Sequence, residues 1–114
     1  MTGHPFPYQY LKITQAQLQL MSRNTFQAAG EVRSVALALE LCTDALKDWD
    51  LTLIKDDDAC RWIETIKRVI DTTNVQDDNG KGVFYNRARV MTLEERDDLS
   101  DALIFLLVWL DKVF

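Results

Sequence analysis

The fold is decided by residues 18–49, LQLMSRNTFQAAGEVRSVALALELCTDALKDW. Apolar or small side chains recur there at spacings of three and four residues, which is the period of one face of an α-helix. The ten positions are Leu18, Met21, Thr25, Ala28, Val32, Val35, Leu39, Cys42, Leu46 and Trp49. Thr14 and Gln17, just before them, match the capping box that starts a helix. The pattern predicts a long helix over residues 14–49 with one continuous apolar seam.

Two features interrupt this pattern. Gly30 costs a helix interior about 1 kcal/mol relative to Ala. Residues 22–25, SRNT, are polar and poor helix formers. The pattern is therefore predicted to form either one long helix, or two helices with a break or bend near residues 22–30.

Residues 1–12 precede the long helix and contain Pro5 and Pro7. Proline restricts both itself and the residue before it, which favours an extended chain. We therefore predict an extended N-terminal arm. Its aromatic side chains, Phe6, Tyr8 and Tyr10, would lie either on the body of their own domain or on a partner protein.

The remainder of the chain predicts two further helices and one short element. Acidic residues at 56–58 are typical of a helix N-terminus and predict a helix over residues 57–74. Residues 76–91 are predicted as a loop and a short element that is either strand or helix. Thr92 and Glu95 form a second capping box, which starts a helix over residues 92–113. The predicted fold is all-α, a single domain over residues 1–114 built as a small bundle of three to four helices.

The final helix is apolar on every side over residues 103–110, LIFLLVWL. Such a helix must be surrounded, either by its own domain or by a second copy of the chain. We therefore predict a homodimer. The predicted partner-binding residues are Phe6, Tyr8, Tyr10, Phe105 and Trp109.

Charge and composition exclude several classes of function. The chain has 13 Lys and Arg against 18 Asp and Glu, a net charge of −5, which disfavours direct nucleic-acid binding. The longest apolar run, residues 102–110, is about half the length of a membrane span, so no membrane interaction is predicted. Cys42 and Cys60 fit no paired motif, and the N-terminus does not resemble a signal peptide. We expect a cytoplasmic protein.

Few residues could support covalent chemistry. His4 is the single histidine, which disfavours a Ser-His-Asp or Cys-His site and a zinc site. Gly80-Lys81-Gly82 lacks the spacing of a phosphate-binding loop. A calcium loop that begins at Asp77 would have Lys81 and Ala88 at ligand positions, so that motif is absent as well. We interpret the loop as a turn.

Carboxylates offer another route to catalysis. Glu94, Asp98 and Asp101 recur on one side of the last helix, and Glu40 and Asp44 are one turn apart on the long helix. Oxygen ligands grouped in this way could hold Mg²⁺. Residues 98–107, DLSDALIFLL, resemble the last metal-binding helix of the all-α MazG-type nucleotide pyrophosphohydrolases. That resemblance implies magnesium-dependent cleavage of a nucleoside triphosphate to its monophosphate.

The same acidic residues also suit a solubilising face at the positive end of a helix dipole. On this interpretation the chain is a non-catalytic acidic protein without a cofactor. It would act by protein–protein binding as an inhibitor, an immunity or anti-defence factor, or an adaptor. This is the predicted function, with the magnesium-dependent hydrolase as the alternative. A third hypothesis is that the acidic residues imitate a nucleic-acid backbone.

Overall fold

The computed structural model describes residues 6–21, 28–47, 49–77 and 80–113. These ranges are all-helical and contain no β-strand, which confirms the predicted fold class. Their helices are α1 (Pro7–Met21), α2 (Ala28–Lys47), α3 (Asp57–Ile70), α4 (Val83–Val90) and α5 (Leu93–Val113), with one 3₁₀ turn at Leu51–Leu53. The described ranges therefore contain five α-helices, where three to four were predicted.

The prediction of an extended arm is wrong from Pro7 onward, because Pro7 is the first residue of α1. Proline suits this position, since its missing N–H would have no partner inside the helix and its φ angle is already helical. The Tyr10 N–H donates to the Phe6 carbonyl oxygen at 2.9 Å, which closes the first turn. Residues 1–5 of the predicted arm lie outside the described residues.

The predicted helix start at Thr14 is also wrong. Thr14 lies inside α1, and its hydroxyl donates a 2.7 Å hydrogen bond to the Tyr10 carbonyl oxygen one turn earlier. This bond back to the preceding turn is common for threonine within helices. Gln17 lies in the same helix and is buried.

The predicted long helix is two helices, α1 and α2, which pack against each other. The alternative with a break agrees better with the structure, although residues 22–27 themselves lie outside the described residues. The apolar seam is not continuous either. In α1 the buried side chains include Ile13, Ala16 and Leu20, whereas Leu18 and Met21 of the predicted seam are exposed. The physical reason is that each helix orients its buried face toward its own neighbours.

In α2 the predicted seam is correct where its side chains are described. Val35, Leu39 and Cys42 are buried, and Trp49 just beyond the helix is buried as well. Ala38 and Ala45 are fully buried beside them, and such small side chains let neighbouring helices approach closely. Helix α2 contacts α1, α3 and α4, so it lies at the centre of the fold.

Local capping explains where α3 and α5 begin. The Asp56 carboxylate accepts a 3.0 Å hydrogen bond from the Ala59 N–H at the start of α3. Before α5, the Glu95 N–H donates to the Thr92 hydroxyl and the Thr92 N–H donates to the Glu95 carboxylate, both at 3.0 Å. This pair of bonds is the predicted capping box. Helix α3 ends at Ile70, four residues before the predicted end.

The short element within residues 76–91 is the helix α4. It follows Gly82, whose φ of 99° is a conformation that other residues rarely adopt. The buried Asn86 side chain donates a 2.9 Å hydrogen bond to the Gln76 carbonyl oxygen, which ties the preceding loop to this helix. Helix α4 packs against α2.

Helix α5 lies between α1 and α3 and contacts both. Its inner face is fully buried at Leu99, Leu103, Leu106 and Leu110. The described part of the chain measures 46 × 29 × 24 Å. Among its helices, none combines the length and the hydrophobicity that crossing a lipid bilayer requires.

Candidate functional site

Two of the three predicted N-terminal aromatic residues contact their own domain. The Phe6 ring meets the Trp49 ring edge to face, with 5.4 Å between centroids. The Tyr10 hydroxyl donates a 2.6 Å hydrogen bond to the Asp111 carboxylate on α5. Tyr8 is different, because 47% of its surface is exposed. The Lys12 ammonium lies 5.4 Å from the centroid of its ring.

The two predicted aromatic residues of α5 also differ from each other. Phe105 is half exposed, and one side of its ring stacks on Trp62 of α3 with 5.7 Å between centroids. Trp109 is partly buried and packs against the core. Tyr8 and Phe105 are therefore the residues of the predicted partner-binding set with the most accessible rings.

The five carboxylates of the alternative magnesium site do not meet. Glu40 lines a cavity of about 360 Å³ between α2 and α4. Asp98 and Asp101 line a separate groove of about 250 Å³ between α3 and α5. Asp44 and Glu94 are exposed elsewhere. Within the described ranges, no three His, Cys, Asp or Glu side chains are grouped closely enough to hold a metal ion. Residue spacing places carboxylates on the same side of one helix. A shared magnesium site also requires the carboxylates of α2 and those of α5 to lie close together, and spacing does not determine that.

The cavity between α2 and α4 has mixed charge. Arg33 and Lys81 line it together with Glu40, and the Lys81 ammonium lies 5.1 Å from the centroid of the Tyr85 ring. Its apolar wall comes from both helices, including Leu37 and Phe84. Because two cationic side chains and a carboxylate line the same cavity, its charge favours neither an anionic nor a cationic ligand.

The groove between α3 and α5 combines aromatic and charged groups. Trp62 and Phe105 form one part of its wall, and Asp98 and Asp101 form another. The Arg68 guanidinium lies 3.6 Å from the Asp98 carboxylate, so that carboxylate already has a cationic partner. Asp101 is exposed and forms no ion pair with another residue that the structure describes.

Two side-chain pairs mark where α1 meets α5. Tyr10 contacts Asp111, and the Gln17 amide approaches the Ser100 hydroxyl at 3.5 Å. The earlier residue of α1 pairs with the later residue of α5, so the two helices are antiparallel. These pairs also fix which side of each helix faces the other.

Beside this contact lies an exposed apolar surface, which we call the α1/α5 face. It consists of Leu11 and Leu18 of α1 and Ile104 and Val108 of α5, with exposed fractions of 53%, 56%, 42% and 47%.

The helical period places all four side chains on the same side of the helix pair. Leu11 directly follows Tyr10, and Leu18 directly follows Gln17. Each leucine therefore lies about 100° further round α1 than the residue that contacts α5. Ile104 and Val108 lie about 40° and 80° past Ser100 on α5. The starting point on each helix is the side that contacts the other helix. Because the helices are antiparallel, rotation about each helix axis in the direction of increasing residue number leads from this contact to the same side of the pair. The four residues therefore form one surface.

Charged residues stand at both ends of this face on α5. Asp101 precedes Ile104, and Lys112 follows Val108, and both charged side chains are exposed. Lys112, like Asp101, forms no ion pair with another residue in the described ranges. The outer surface of α5 is therefore apolar in the middle, with Asp101 at one end and Lys112 at the other. Asp111, next to Lys112, is also exposed, and it lies on the side of α5 toward α1, where it accepts the hydrogen bond from Tyr10.

The α1/α5 face is not among the features predicted from the sequence. On α5 the predicted contacts are the aromatic residues Phe105 and Trp109, and Leu18 is predicted to lie in the apolar seam. The available signals were the seven-residue spacing of Leu11 and Leu18 and the four-residue spacing of Ile104 and Val108. Spacing shows that two residues share a side of a helix, but it does not show whether another helix covers that side.

The two cysteines have different environments. The Cys42 side chain is buried in the core, and burial raises the pKa of its thiol to about 12. Cys60 is exposed, and its Sγ lies 3.6 Å from the Ile54 carbonyl oxygen. Both thiols are free.

Comparisons with protein-family models, with curated proteins and with solved structures give no match for this chain.

Proposed function

We propose that the protein is a non-catalytic helical protein that acts by protein–protein binding, as an inhibitor, an immunity or anti-defence factor, or an adaptor. We further propose that it is a homodimer in the cytoplasm. The α1/α5 face supports the dimer, and the acidic balance of the chain supports a partner protein with a basic surface.

The observation that carries this proposal is the exposure of Leu11, Leu18, Ile104 and Val108 on one surface. Single exposed apolar residues are ordinary on proteins, but contiguous groups of them mark interaction sites. Each of these side chains is about half accessible, so a partner that covers them removes apolar area from water. That burial is the main favourable term in association.

Charge and the cysteines support the other parts of the proposal. A net charge of −5 attracts proteins that present a basic surface and raises the rate at which the two meet. Two free thiols, with no disulfide between them, suit a reducing compartment such as the cytoplasm.

Sedimentation velocity over a range of concentrations tests self-association. We expect the wild-type chain to shift from monomer to dimer as its concentration rises. Val108→Ser should weaken the dimer, because it replaces an apolar side chain on the α1/α5 face with a hydroxyl. Val90→Ser is the matched control, since Val90 is 61% exposed but lies on α4. A wild-type chain that stays monomeric at about 100 µM, well above common dissociation constants for dimers, would contradict the homodimer.

The binding role needs its own experiment. Affinity capture from the native host would supply candidate proteins, and each candidate would then be purified and titrated against the chain by calorimetry. We expect a stoichiometric complex whose affinity falls as the salt concentration rises, because the proposed attraction is electrostatic. If no captured protein reforms a complex from purified components, the proposed binding role is wrong.

A further inference from the structure

We infer that the α1/α5 face binds the same face of a second copy of this chain, with the two α5 helices antiparallel and Asp101 of each copy beside Lys112 of the other. The inference rests on the homodimer proposed above and specifies its interface.

The order of residues along α5 is self-complementary. Asp101 and Lys112 are eleven residues apart, about 16 Å along a helix, and Ile104 and Val108 lie between them. The charged pair and the apolar pair are centred on nearly the same point of α5. The midpoint between Asp101 and Lys112 differs by half a residue from the midpoint between Ile104 and Val108. Consider a two-fold axis that passes through this point, lies in the plane of the interface and is perpendicular to α5. Such an axis places Asp101 of one copy beside Lys112 of the other at both ends of the helix pair. The same axis places Ile104 against Val108 of the second copy.

A two-fold axis parallel to the helices is the other way to pair this face. It would lay α5 of one copy on α1 of the other. On α1, Leu11 and Leu18 share their side of the helix with Thr14. No charged residue lies on that side between the two leucines. Asp101 and Lys112 would then both be desolvated without partners, which is unfavourable. The charge pattern therefore selects the antiparallel arrangement of the two α5 helices.

The size of the face is sufficient for a specific dimer. Helix α5 is about 30 Å long, and two adjacent helices are about 20 Å wide with their side chains. Helix α1 has 15 residues and is about 22 Å long, so this side of the helix pair covers roughly 500 Å² in each copy, or about 1,000 Å² in total, which is near the minimum for a specific interface. We expect a dimer of moderate affinity that depends on concentration.

Charge reversal tests this arrangement. Asp101→Lys places two lysines together at each end of the dimer, and Lys112→Glu places two carboxylates together. We expect each variant alone to raise the dimer dissociation constant about tenfold or more, because like charges replace two ion pairs. Lys55→Glu is the matched control, since Lys55 is exposed in the loop before α3, and it should leave dissociation unchanged.

An equimolar mixture of the two weakened variants gives the decisive result. In a heterodimer of Asp101→Lys with Lys112→Glu, both ends again join opposite charges, so we expect native mass spectrometry to show heterodimer in excess of either homodimer. Heterodimer formation also shows that both variants are folded. If the wild type dimerises but neither variant is weakened, or the mixture forms no excess heterodimer, this interface is wrong and the homodimer proposal stands. A wild type that remains monomeric overturns both.

Discussion

The Tyr10 hydroxyl of α1 donates a 2.6 Å hydrogen bond to the Asp111 carboxylate of α5, across 101 positions of the sequence. It joins the first helix to the last and fixes the edge along which the α1/α5 face forms. The hydrogen bond to Asp111, followed by burial and by the negative charge of Asp111, raises the pKa of the Tyr10 phenol above its ordinary value of 10.0.

Tyr10→Phe removes this bond, and we expect it to lower the free energy of unfolding by about 0.5–1 kcal/mol at pH 7, since the bond is exposed to water. The folded chain holds the phenol proton to a higher pH than the unfolded chain does. The contribution is therefore complete below pH 10 and is lost as the pH rises through the raised pKa. Urea unfolding at neutral and alkaline pH should show the difference between wild type and Tyr10→Phe shrinking above pH 10. Tyr8→Phe is the control, and an equal effect there would contradict the assignment.

Arg87 connects three helices, and replacing it should destabilise the fold. Its Nε donates to the Val69 carbonyl oxygen of α3 at 2.9 Å, and its Nη2 donates to the Glu95 carboxylate of α5 at 2.6 Å. We expect Arg87→Met to lower the free energy of unfolding by about 2 kcal/mol, because two partly buried acceptors lose their donor. Arg87→Lys should lose less, since an ammonium can replace one of the two bonds. Equal unfolding midpoints in urea for wild type and Arg87→Met would refute this role.

Glu95 should make the same contact sensitive to acid. The hydrogen bond from Arg87, and then the bond from the Thr92 N–H, lower the pKa of Glu95 below its ordinary value of 4.5. Its contribution is therefore present above pH 4.5 and is lost as the pH falls through the lowered pKa. We expect Glu95→Gln to be less stable than wild type by about 1 kcal/mol at pH 7. Chemical unfolding at stepwise lower pH should show the two proteins converging; a constant difference would contradict the prediction.

Leu106 lies on the inner face of α5 with 0% of its surface exposed. Leu106→Ala removes buried methyl groups and leaves a cavity, so we expect a loss of about 2–5 kcal/mol in unfolding free energy. Leu53→Ala is the control, because Leu53 is 62% exposed and should change stability by less than about 0.5 kcal/mol. Thermal and urea unfolding of both variants measure the difference, and similar losses in the two would contradict the burial of Leu106.

The two cysteines should react at different rates with an aromatic disulfide reagent. Cys60 is exposed and should react in the native state, whereas Cys42 is buried with its thiol pKa raised to about 12. We expect one thiol per chain to react at once at pH 8 and the second only after denaturant is added. Cys60→Ser should abolish the fast reaction. Fast reaction of both thiols in the wild type would contradict the burial of Cys42.

The sequence by itself determined the features that depend on neighbours within about four residues. The capping box of Thr92 and Glu95 forms between residues three positions apart, and the Asp56 cap forms in the same way. The amphipathic face of α2 follows from the helical period, and Val35 and Leu39 are buried as their spacing indicates. Such features give the all-α class because their physical causes are local.

The tertiary structure decided which apolar side of each helix was covered. Leu18 and Ile13 are both apolar residues of α1, and only the positions of α2 and α5 bury Ile13 and leave Leu18 exposed. The carboxylates Glu40 and Asp101 likewise belong to different surfaces because their helices do not bring them together. A helical period fixes angles around one axis, but burial depends on residues that are distant in sequence, such as Asp111 beside Tyr10. The α1/α5 face exists for that reason, and no pattern within a single helix could reveal it.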